Sequence, residues 1–445
     1  MNKTFKIGGV HPHDSKISST AAIEIFPAIE TAYVSMAQHL GAPATPIVAA
    51  GDKVKVGQVI AEPSGFISGY VHSPVSGTVK SVGPRADIAG NLVPHVEITV
   101  EGDEWMESID TSDTIVRDIP YTPEEILEKV KNAGIVGLGG ASFPTHVKLA
   151  PPKDKKAECL ILNGTECEPF LTSDDRIMRE RPEEILIGGA IMMKALGVTR
   201  GYVGIEENKP DAIASMTKTA AAFPGIEVVV LKKRYPQGGE KQLIDAVINR
   251  QVPSGALPID TGAVVQNVGT SLAVYEAVQK NKPLIDNVIT VTGRCLPVQH
   301  NYKVRIGTPV SKILEVAGGL PENAAKVISG GPMMGRAIAN LDAATVKANG
   351  AILVLTAAET RRAPESPCIR CAKCAQACPM GLEPWLLNKL SRAGGRYDEL
   401  EAERVFDCIE CGCCSFTCPA HIPLLDMIRP AKAEVMKILR SRPKK

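Results

Sequence analysis

Apolar runs and amphipathic stretches alternate along the middle of the chain, between residues 120–270. Thr122, Pro123 and Glu125 give the start signal of a helix that Gly134 ends. Further along, the runs typical of buried strands are 157–164, 200–207 and 226–233, and the helical patterns are 181–197 and 238–250. This alternation predicts an α/β domain with a mostly parallel sheet, whose ligand crevice lies at the carboxyl ends of the strands.

Residues 1–115 carry a different pattern, in which Gly and Pro separate short strand-like runs. The runs at 51–62 and 73–82 frame a hairpin-like centre, GFISGYVH. This arrangement resembles the barrel-sandwich fold of biotinyl and lipoyl domains. Those domains carry a modified lysine at the hairpin tip, whereas no lysine lies between Lys55 and Lys80 here. We therefore expect an all-β structural or docking module without a carrier arm.

A second β-rich region follows the α/β domain, at residues 285–345. Its pattern predicts strand, turn, strand and a helix from Pro309 to about Val316, then a strand that leads into a Gly/Met-rich loop. We expect Met333 and Met334 in that loop to pack against neighbours rather than to line a cofactor path.

Composition places the chain among globular proteins. It has 445 residues, 44% of them hydrophobic, which suits roughly three domains, and a formal net charge of +1 gives no sign of a nucleic-acid partner. The apolar runs are shorter than the ~18 residues of a membrane helix, and the N-terminus lacks the apolar core of a signal peptide. We expect a cytoplasmic protein without a transmembrane helix, able to dock on a membrane as a peripheral protein.

Positive charge is concentrated at the end of the chain. Between Arg429 and Lys445, seven Lys or Arg residues stand against one Glu. We interpret residues 431–445 as a basic tail, in the simplest case a solvated and frayed terminus. Contact with an anionic membrane face or an acidic partner is the alternative.

Two cysteine runs of the same spacing lie near the C-terminus, CIRCAKCAQACP at 368–379 and CIECGCCSFTCP at 408–419. Each follows the C-x2-C-x2-C-x3-C-P pattern of bacterial ferredoxins, in which the fourth cysteine completes the other cluster. The pattern predicts a two-cluster, ferredoxin-like α domain over residues 360–430. The predicted [4Fe–4S] ligands are Cys368, Cys371, Cys374 and Cys418 for the first cluster, and Cys378, Cys408, Cys411 and Cys414 for the second.

The other cysteines are not expected to bind metal. Cys413 lies inside the second run, but the spacing to Cys418 favours Cys414 as the ligand. Zinc ribbons carry paired rather than triple cysteines, and disulfides do not suit a chain without a secretory signal. The cysteines without a partner at ligand spacing are expected to be free thiols, namely Cys159, Cys167 and Cys295.

Two loops of the α/β domain carry candidate ligand contacts. The first, 134–148, is rich in glycine, but Ser142 replaces the third glycine of a dinucleotide fingerprint and a helix precedes the loop. Its backbone can still approach a phosphate or flavin, with Lys148 as a cation. The second loop, 163–176, follows a buried strand and brings polar side chains to the ligand edge, namely Asn163, Thr165, Glu166 and Glu168. A solvated acidic loop is the alternative.

The α/β domain resembles the flavin- and NADH-binding subunit of respiratory complex I in four segments of the same order: GLGGASFPTHVKL, NGTECEPFLTSDDR, YPQGGEKQL and VQNVGTSLAVYEA. The region 285–345 is similar to the SLBB-like β-grasp module of that subunit. The FMN contacts that the resemblance implies are Gly137, Gly139, Lys148, Asn163, Thr165, Gly238, Gly239 and Asn267. The implied NADH contacts are Phe143, Glu168 and Glu240. Thr165 stands where that family has Asp, and Gly239 where it has Glu.

The whole chain resembles the RnfC family, the C subunits of Rnf-type membrane electron-transport complexes, which have the same order of modules. Three segments near the N-terminus support this, FKIGGVHPHDSK at 5–16, QHLGAPATPIV at 38–48 and GYVHSPVSGTV at 69–79. The resemblance implies a peripheral subunit of an ion-translocating ferredoxin:NAD+ oxidoreductase at the cytoplasmic face of the membrane. It would pass electrons between ferredoxin-derived iron–sulfur centres and NAD(H) through FMN, with other Rnf subunits as partners, using binding residues and no acid–base catalyst.

Two other functions stay open at this point. A soluble corrinoid reductase of similar architecture would reduce cobalamin without membrane partners. A non-catalytic relay scaffold would hold the clusters without a working flavin site, an interpretation to which Thr165 and Gly239 give weight.

Overall fold

The computed structural model describes residues 2–442. The strands of the N-terminal region are β1 (Ile23–Ile25), β2 (Thr31–Ser35), β3 (Thr45–Pro46), β4 (Lys53–Val54), β5 (Val59–Glu62), β6 (Val71–His72), β7 (Gly77–Ala86) and β8 (Leu92–Val100). Two antiparallel sheets, ordered β2-β8-β7-β4 and β3-β5-β6, share one apolar core that contains Val34, Ile60, Val71 and Ile98. The expected all-β module is confirmed.

The α/β domain contains strands β9 (Cys159–Asn163), β10 (Gly201–Glu206), β11 (Ile226–Leu231) and β12 (Ala263–Asn267). Its helices are α1 (Pro123–Asn132), α2 (Thr145–Leu149), α3 (Ser173–Glu180), α4 (Pro182–Leu196), α5 (Pro210–Ala220), α6 (Glu240–Ile248) and α7 (Val268–Lys280), with a 3-10 turn at Pro258–Thr261. The sheet is parallel throughout, in agreement with the predicted mostly parallel sheet, and its strand order is β11-β10-β9-β12. A capping box between Thr122 and Glu125 starts α1, which confirms the predicted signal.

The second β-rich region contains β13 (Asp286–Thr292), β14 (His300–Arg305), α8 (Val310–Val316), β15 (Ala324–Ser329), β16 (Arg336–Ala337) and β17 (Ala351–Thr356). Its sheet is ordered β1-β14-β13-β17-β15-β16. The sheet therefore takes in two strands from outside residues 285–345. The buried strand β17 lies between β13 and β15, and β1 is donated by the N-terminal region.

The C-terminal module is helical, with α9 (Ala357–Thr360), α10 (Lys373–Ala377), α11 (Pro384–Ala393), α12 (Tyr397–Ala402), α13 (Cys413–Thr417) and α14 (Leu424–Ser441), and a 3-10 turn at Val405–Asp407. Its small core combines aliphatic side chains with several of the predicted ligand cysteines. Within residues 2–442, the helices all fall short of the length and apolar character that a membrane crossing requires.

The expectation of a frayed basic terminus is wrong for most of the tail. Residues up to Ser441 belong to α14, which buries Ile428, Ala431 and Val435 against the rest of the module. Several of its basic residues are held in ion pairs: Arg429 and Lys432 with Glu410, Lys437 with Glu434, and Arg442 with Glu401. Residues 443–445 lie outside the described part of the chain.

Candidate functional site

The carboxyl ends of β9 and β12 lie side by side, because Asn163 pairs with Asn267 in the parallel register. Asn267 caps α7, since its Oδ1 accepts from the N–H groups of Gly269 at 2.7 Å and Thr270 at 3.3 Å. Its Nδ2 donates to Asp174 Oδ2 at 2.8 Å. Strand register therefore brings two of the predicted FMN contacts to the ligand edge of the sheet.

The glycine-rich loop lies directly against Asn267. A Cβ atom at Gly139 would lie 3.1 Å from the Asn267 Cβ, which is closer than side chains normally pack. The N–H of Gly137 donates to the Phe143 carbonyl at 2.9 Å, which closes the loop on itself. Gly139 is exposed. The loop therefore presents backbone without side chains beside Asn267 at the ligand edge of the sheet, a region called the groove below, as a bound phosphate or flavin requires.

Lys148 places a positive charge in the same groove. It follows the loop in α2, and its Nζ donates to Glu240 Oε1 at 2.6 Å and to the Val265 carbonyl at 2.9 Å. Both charged side chains are about one third exposed, at 30% and 37%. Glu240 opens α6, so this ion pair joins the glycine-rich loop to the start of that helix.

Thr165 and Gly238 fit each other closely. Asn163 Nδ2 donates to the Gly238 carbonyl at 2.9 Å, and Thr165 Oγ1 donates to Asn163 Oδ1 at 2.6 Å. A Cβ at Gly238 would lie 2.4 Å from Thr165 Oγ1, and a Cβ at Gly239 would lie 2.4 Å from Gln242 Oε1. Close approach of the Thr165 side chain favours glycine at 238, whereas the close atom at Gly239 is the end of the flexible Gln242 side chain. The buried Thr165 supports the loop from beneath rather than facing the groove.

Glu168 lies apart from these groups. Its two carboxylate oxygens accept from the backbone N–H groups of Met333 at 3.0 Å and Met334 at 2.7 Å, in the Gly/Met-rich loop of the second β-rich region. Burial raises the pKa of Glu168 to about 7. Phe143 is half-buried on the glycine-rich loop, and Glu240 is the groove residue paired with Lys148. Within residues 2–442, no hydrogen bond or ion pair joins the three predicted NADH contacts to one another.

A buried ionic cluster beneath the second loop had no sequence signal. Glu166 accepts from the backbone N–H of Asp174 at 2.8 Å, so it caps α3 instead of reaching the groove. Lys16 donates to three loop carbonyls, those of Glu166, Glu168 and Leu171, at 2.6 to 2.9 Å. Burial and the neighbouring Glu166 raise the pKa of Asp174 to about 7. Sequence patterns do not reveal this cluster, because Lys16 lies 150 residues before Glu166 in the chain.

The two cysteine runs adopt the same backbone conformation. Positive φ angles recur at equivalent positions, Arg370 and Ala372 at 56° and 59°, and Glu410 and Gly412 at 59° and 77°. Each pair leads into a short helix, α10 or α13, that ends at the fourth cysteine of its run. The two helices pack against each other. The sequence repeat is therefore also a structural repeat.

The predicted ligands of the second cluster line one small cavity. This cavity is enclosed mostly by apolar side chains, and its cysteines are Cys378, Cys408, Cys411, Cys413 and Cys414. Cys413 occupies the place of Lys373 in the first run, at the start of its helix, whereas Cys414 aligns with Cys374. The Sγ of Cys413 lies 3.9 Å from the Tyr235 carbonyl oxygen. This arrangement supports Cys414 as the ligand and brings Cys378 across from the first run.

The predicted ligands of the first cluster lie at the surface. Cys368 and Cys371 are exposed, while Cys374 and Cys418 are half-buried and near enough to interact electrostatically. Among residues 2–442, no three His, Cys, Asp or Glu side chains converge as ligands of a single metal ion. A cubane cluster does not require such convergence, because each thiolate binds a different iron atom. The four predicted thiolates that line the second cavity therefore fit a cluster by their chemistry.

Family models match four successive regions of the chain. They are described as the RnfC barrel sandwich hybrid domain (residues 3–104), the Nuo51 FMN-binding domain (130–276), the SLBB domain (288–337) and the 4Fe-4S dicluster domain (362–419). The predicted fold class and cofactor classes, FMN and two [4Fe–4S] clusters, are confirmed by these matches. Fold and site together define a multidomain electron-transfer protein that combines a flavin domain with a two-cluster ferredoxin module.

Curated relatives narrow this class to one family. The chain is 46% identical to the C subunit of the proton-translocating ferredoxin:NAD+ oxidoreductase complex of Clostridium ljungdahlii, over 88% of this chain and 85% of the relative. It is 43% identical to the C subunit of the Na+-translocating ferredoxin:NAD+ oxidoreductase complex of Acetobacterium woodii, over 97% of each. The chain belongs to the family of C subunits of ion-translocating ferredoxin:NAD+ oxidoreductase complexes, which confirms the Rnf resemblance.

A more distant structural likeness covers part of the chain. The crystal structure of an NAD+-reducing [NiFe]-hydrogenase in the H2-reduced state matches with a TM-score of 0.50, over 73% of this chain and 67% of that chain. The two sequences are 19% identical over the match. This likeness concerns the fold alone.

Proposed function

We propose that this chain passes electrons between NAD(H) and the iron–sulfur centres of an ion-translocating ferredoxin:NAD+ oxidoreductase complex. Helix α6 carries the proposal, because it touches both ends of the route. At its start, Glu240 pairs with Lys148 in the groove. Within the same turn, the Nε2 of Gln242 donates to the Pro379 carbonyl at 3.2 Å, directly after the ligand Cys378. The short helix α6 therefore contacts both the groove and the backbone beside the second cluster cavity.

The proposed FMN contacts include two kinds of group, backbone of the glycine-rich loop and one cationic side chain. Gly137 and Gly139 offer backbone to the flavin nucleotide, and Lys148 offers an ammonium to its phosphate. The other proposed FMN contacts are Asn163, Gly238, Gly239 and Asn267, and the buried Thr165 would act indirectly, through its hydrogen bond to Asn163. Bound FMN would exchange two electrons with a nicotinamide and single electrons with the clusters. Lys148 must release Glu240 in part to meet a phosphate, and this frees the carboxylate for the nucleotide.

The proposed NADH contacts are Phe143, Glu168 and Glu240. Phe143 and Glu240 border the groove, and they can orient the nicotinamide nucleotide there. Glu168 would act indirectly, because its carboxylate holds the Gly/Met-rich loop in place. No acid–base step is assigned to these residues, because hydride exchange needs orientation and exclusion of water rather than a proton donor.

The proposed cluster ligands are those of the two crossed sets, Cys368, Cys371, Cys374 and Cys418, and Cys378, Cys408, Cys411 and Cys414. Burial separates the sets. The second lies inside an apolar cavity beside the flavin domain, which lowers solvent access and tunes the potential, while the first is open to a protein partner. We place the chain at the cytoplasmic face of the membrane, as a peripheral partner of the other complex subunits, with ferredoxin acting through them.

The test is anaerobic purification followed by iron and flavin analysis and addition of NADH. About eight iron atoms from two clusters and about one FMN per chain are expected, with flavin bleaching by NADH. About four iron atoms, or zinc, would contradict the cluster assignment. Full iron with no flavin and no bleaching would support a relay scaffold instead, and cobalamin reduction without membrane subunits would support a corrinoid reductase.

A further inference from the structure

The first residues of the chain form an arm, residues 2–10, that is added to the flavin domain. Its start pairs with the edge strand β11: the N–H of Lys3 donates to the Val230 carbonyl at 3.2 Å, and that of Lys232 donates to the Lys3 carbonyl at 2.9 Å. Its end pairs with Tyr235 through two bonds to Val10, at 2.8 and 2.9 Å. The arm thus extends the parallel sheet and then leaves it toward the ferredoxin module.

Side chains fix the arm between these two pairings. Phe5 is buried, and the Arg234 guanidinium lies 4.3 Å from its ring centre. Arg234 also donates to the carbonyls of Phe5, at 2.8 Å, and Gly8. The backbone N–H of Lys6 donates to Asp245 Oδ2 at 2.8 Å, which ties the arm to α6. These contacts make the arm a fixed part of the fold.

The arm meets the second cluster cavity at a Gly–Gly step. The N–H of Gly9 donates to the Ala377 carbonyl at 2.9 Å, one residue before the ligand Cys378. Gly8 has a φ of +72°, and a Cβ there would lie 2.4 Å from the Cys378 carbonyl carbon and 2.6 Å from the Pro379 nitrogen. No side chain fits at that distance, so the ligand backbone rests directly on the arm.

Tyr235 extends the same contact to another ligand. Its backbone is bonded to Val10 of the arm, while its buried hydroxyl donates to the Cys411 carbonyl at 2.9 Å. Tyr235 belongs to the loop that continues to Gly238 and Gly239 of the flavin groove. One loop and the arm thus hold the backbones of two ligands, Cys378 and Cys411, that come from different cysteine runs.

We propose that the arm and Tyr235 are positioning elements for the second cluster. Gly8 supports the Cys378 backbone, and the Tyr235 hydroxyl holds the Cys411 carbonyl, so the pair fixes the cluster relative to the flavin loop. A hydrogen bond or contact that sets the ligand backbone also sets the hydrogen bonding and solvation of the cluster sulfurs, and hence its potential. This inference rests on the proposed ligation by Cys378 and Cys411.

The test compares Gly8→Ala with Gly394→Ala in the full chain. Gly394 lies in the ferredoxin module with a similar φ of +67°, but an added Cβ there has no atom within 4 Å. A side chain is disfavoured by the backbone at both positions, at Gly394 because a φ of 67° with a ψ of 152° is adopted readily by glycine alone, and only Gly8→Ala presses on a cluster ligand. We expect Gly8→Ala to lose the second-cluster EPR signal, with iron falling from about eight to about four atoms, and Gly394→Ala to keep both signals.

Tyr235→Phe gives an independent result if Gly8→Ala fails to fold. It removes one hydrogen bond to the Cys411 carbonyl and should keep all the iron. We expect a shift in the EPR-monitored midpoint potential of the second cluster, with the first cluster unchanged. The inference is overturned if Tyr235→Phe keeps the wild-type potential while Gly8→Ala either keeps both clusters or fails to fold, or if Gly394→Ala loses the same cluster.

Cys378→Ser, measured in parallel, separates this inference from the proposed function. Loss of one cluster in Cys378→Ser, together with wild-type behaviour of Gly8→Ala and Tyr235→Phe, refutes the positioning role alone. Two unchanged clusters in Cys378→Ser refute the ligand assignment, and the positioning role falls with it.

Discussion

Lys148 is the residue on which the electrostatics of the groove depend. Its ammonium faces Glu240 and one backbone carbonyl, and it lies at the end of a loop that shows bare glycine backbone. When a phosphate enters this groove, Lys148 would exchange the Glu240 carboxylate for the phosphate as its anionic partner. The cation is thus already held in place before the nucleotide binds.

Lys148→Ala should release FMN and leave both clusters in place, because the variant removes the cation for the flavin phosphate and touches no cysteine. Flavin per chain, measured after gel filtration, is expected to fall at least about tenfold, as loss of a charge-assisted bond of about 1.5–3 kcal/mol implies. Lys153→Ala, at an exposed lysine nearby in sequence, is the control and should keep its flavin. Unchanged flavin affinity in Lys148→Ala would place the phosphate elsewhere.

The crossed ligand sets make a second prediction at single residues. Cys378→Ser, in the first run, should remove the cluster that the second run holds, and Cys418→Ser should remove the other one. Each variant is expected to retain about four iron atoms, with a different EPR signal lost in each. Cys413→Ser should retain both clusters, because its thiol faces the Tyr235 carbonyl. Loss of the same cluster in the two ligand variants would refute the crossed arrangement.

Spacing makes the cysteines predictable, whereas the residues that hold them are not. The C-x2-C-x2-C-x3-C-P pattern carries the geometry of a cluster within a dozen residues, so local sequence is sufficient. Tyr235 and Gln242 reach the cysteine runs across more than 130 positions of sequence. The sequence predicts Glu168 in the nucleotide site. Its hydrogen bonds to Met333 and Met334 could not be predicted, because they depend on the docking of a separate module.

At the scale of elements, hydrophobic periodicity is sufficient to predict a helix or strand when the element buries one regular face. The expected strands at 157–164, 200–207 and 226–233 and the helix at 181–197 are present, with ends that move by at most two residues. Strand β12 has no clear signal, because its sequence AVVQN is short and ends in two polar residues. Strand β1 is also beyond sequence reasoning, since it pairs with β14 nearly 280 residues away.

The barrel-sandwich element contains a histidine that responds to pH. His72, on β6, is buried, and burial lowers its pKa to about 3, from an ordinary value of 6.5. The unfolded chain therefore binds a proton at a higher pH than the folded one does. Below pH 6.5 this difference destabilises the fold, and the loss grows until the pH reaches the folded value.

His72→Gln should make the module less sensitive to acid. Between about pH 6 and 4, the unfolded wild type binds about one proton more than the folded wild type at His72. Its unfolding free energy is therefore expected to fall more steeply than that of His72→Gln, by ~1.4 kcal/mol per pH unit. Urea unfolding at each pH, followed by Trp105 fluorescence in a Trp385→Phe background, measures this slope. His13→Gln is the control, because His13 is exposed. Equal slopes for wild type and His72→Gln would show that His72 is protonated in the folded module.

At the scale of the molecule, three modules and the N-terminal arm meet at the second cluster cavity. The flavin domain contributes Tyr235 and Gln242, and the arm contributes Gly8 against Cys378. The SLBB module contributes Met333, whose carbonyl oxygen would lie 3.2 Å from a Cβ at Gly412. Contacts from three modules and the arm therefore meet where electrons would leave the flavin, whereas Cys368 and Cys371, predicted ligands of the first cluster, are exposed.

The decisive measurement follows the clusters while NAD+ is added. The chain is reduced photochemically without dithionite, mixed with NAD+ under anaerobic conditions, and followed by EPR and by absorbance at the NADH band. We predict that wild-type clusters are reoxidised as NADH forms, and that the clusters of flavin-depleted Lys148→Ala stay reduced. Reoxidation of the Lys148→Ala clusters by NAD+ at the wild-type rate would contradict the proposal that the flavin groove connects NAD(H) to the clusters.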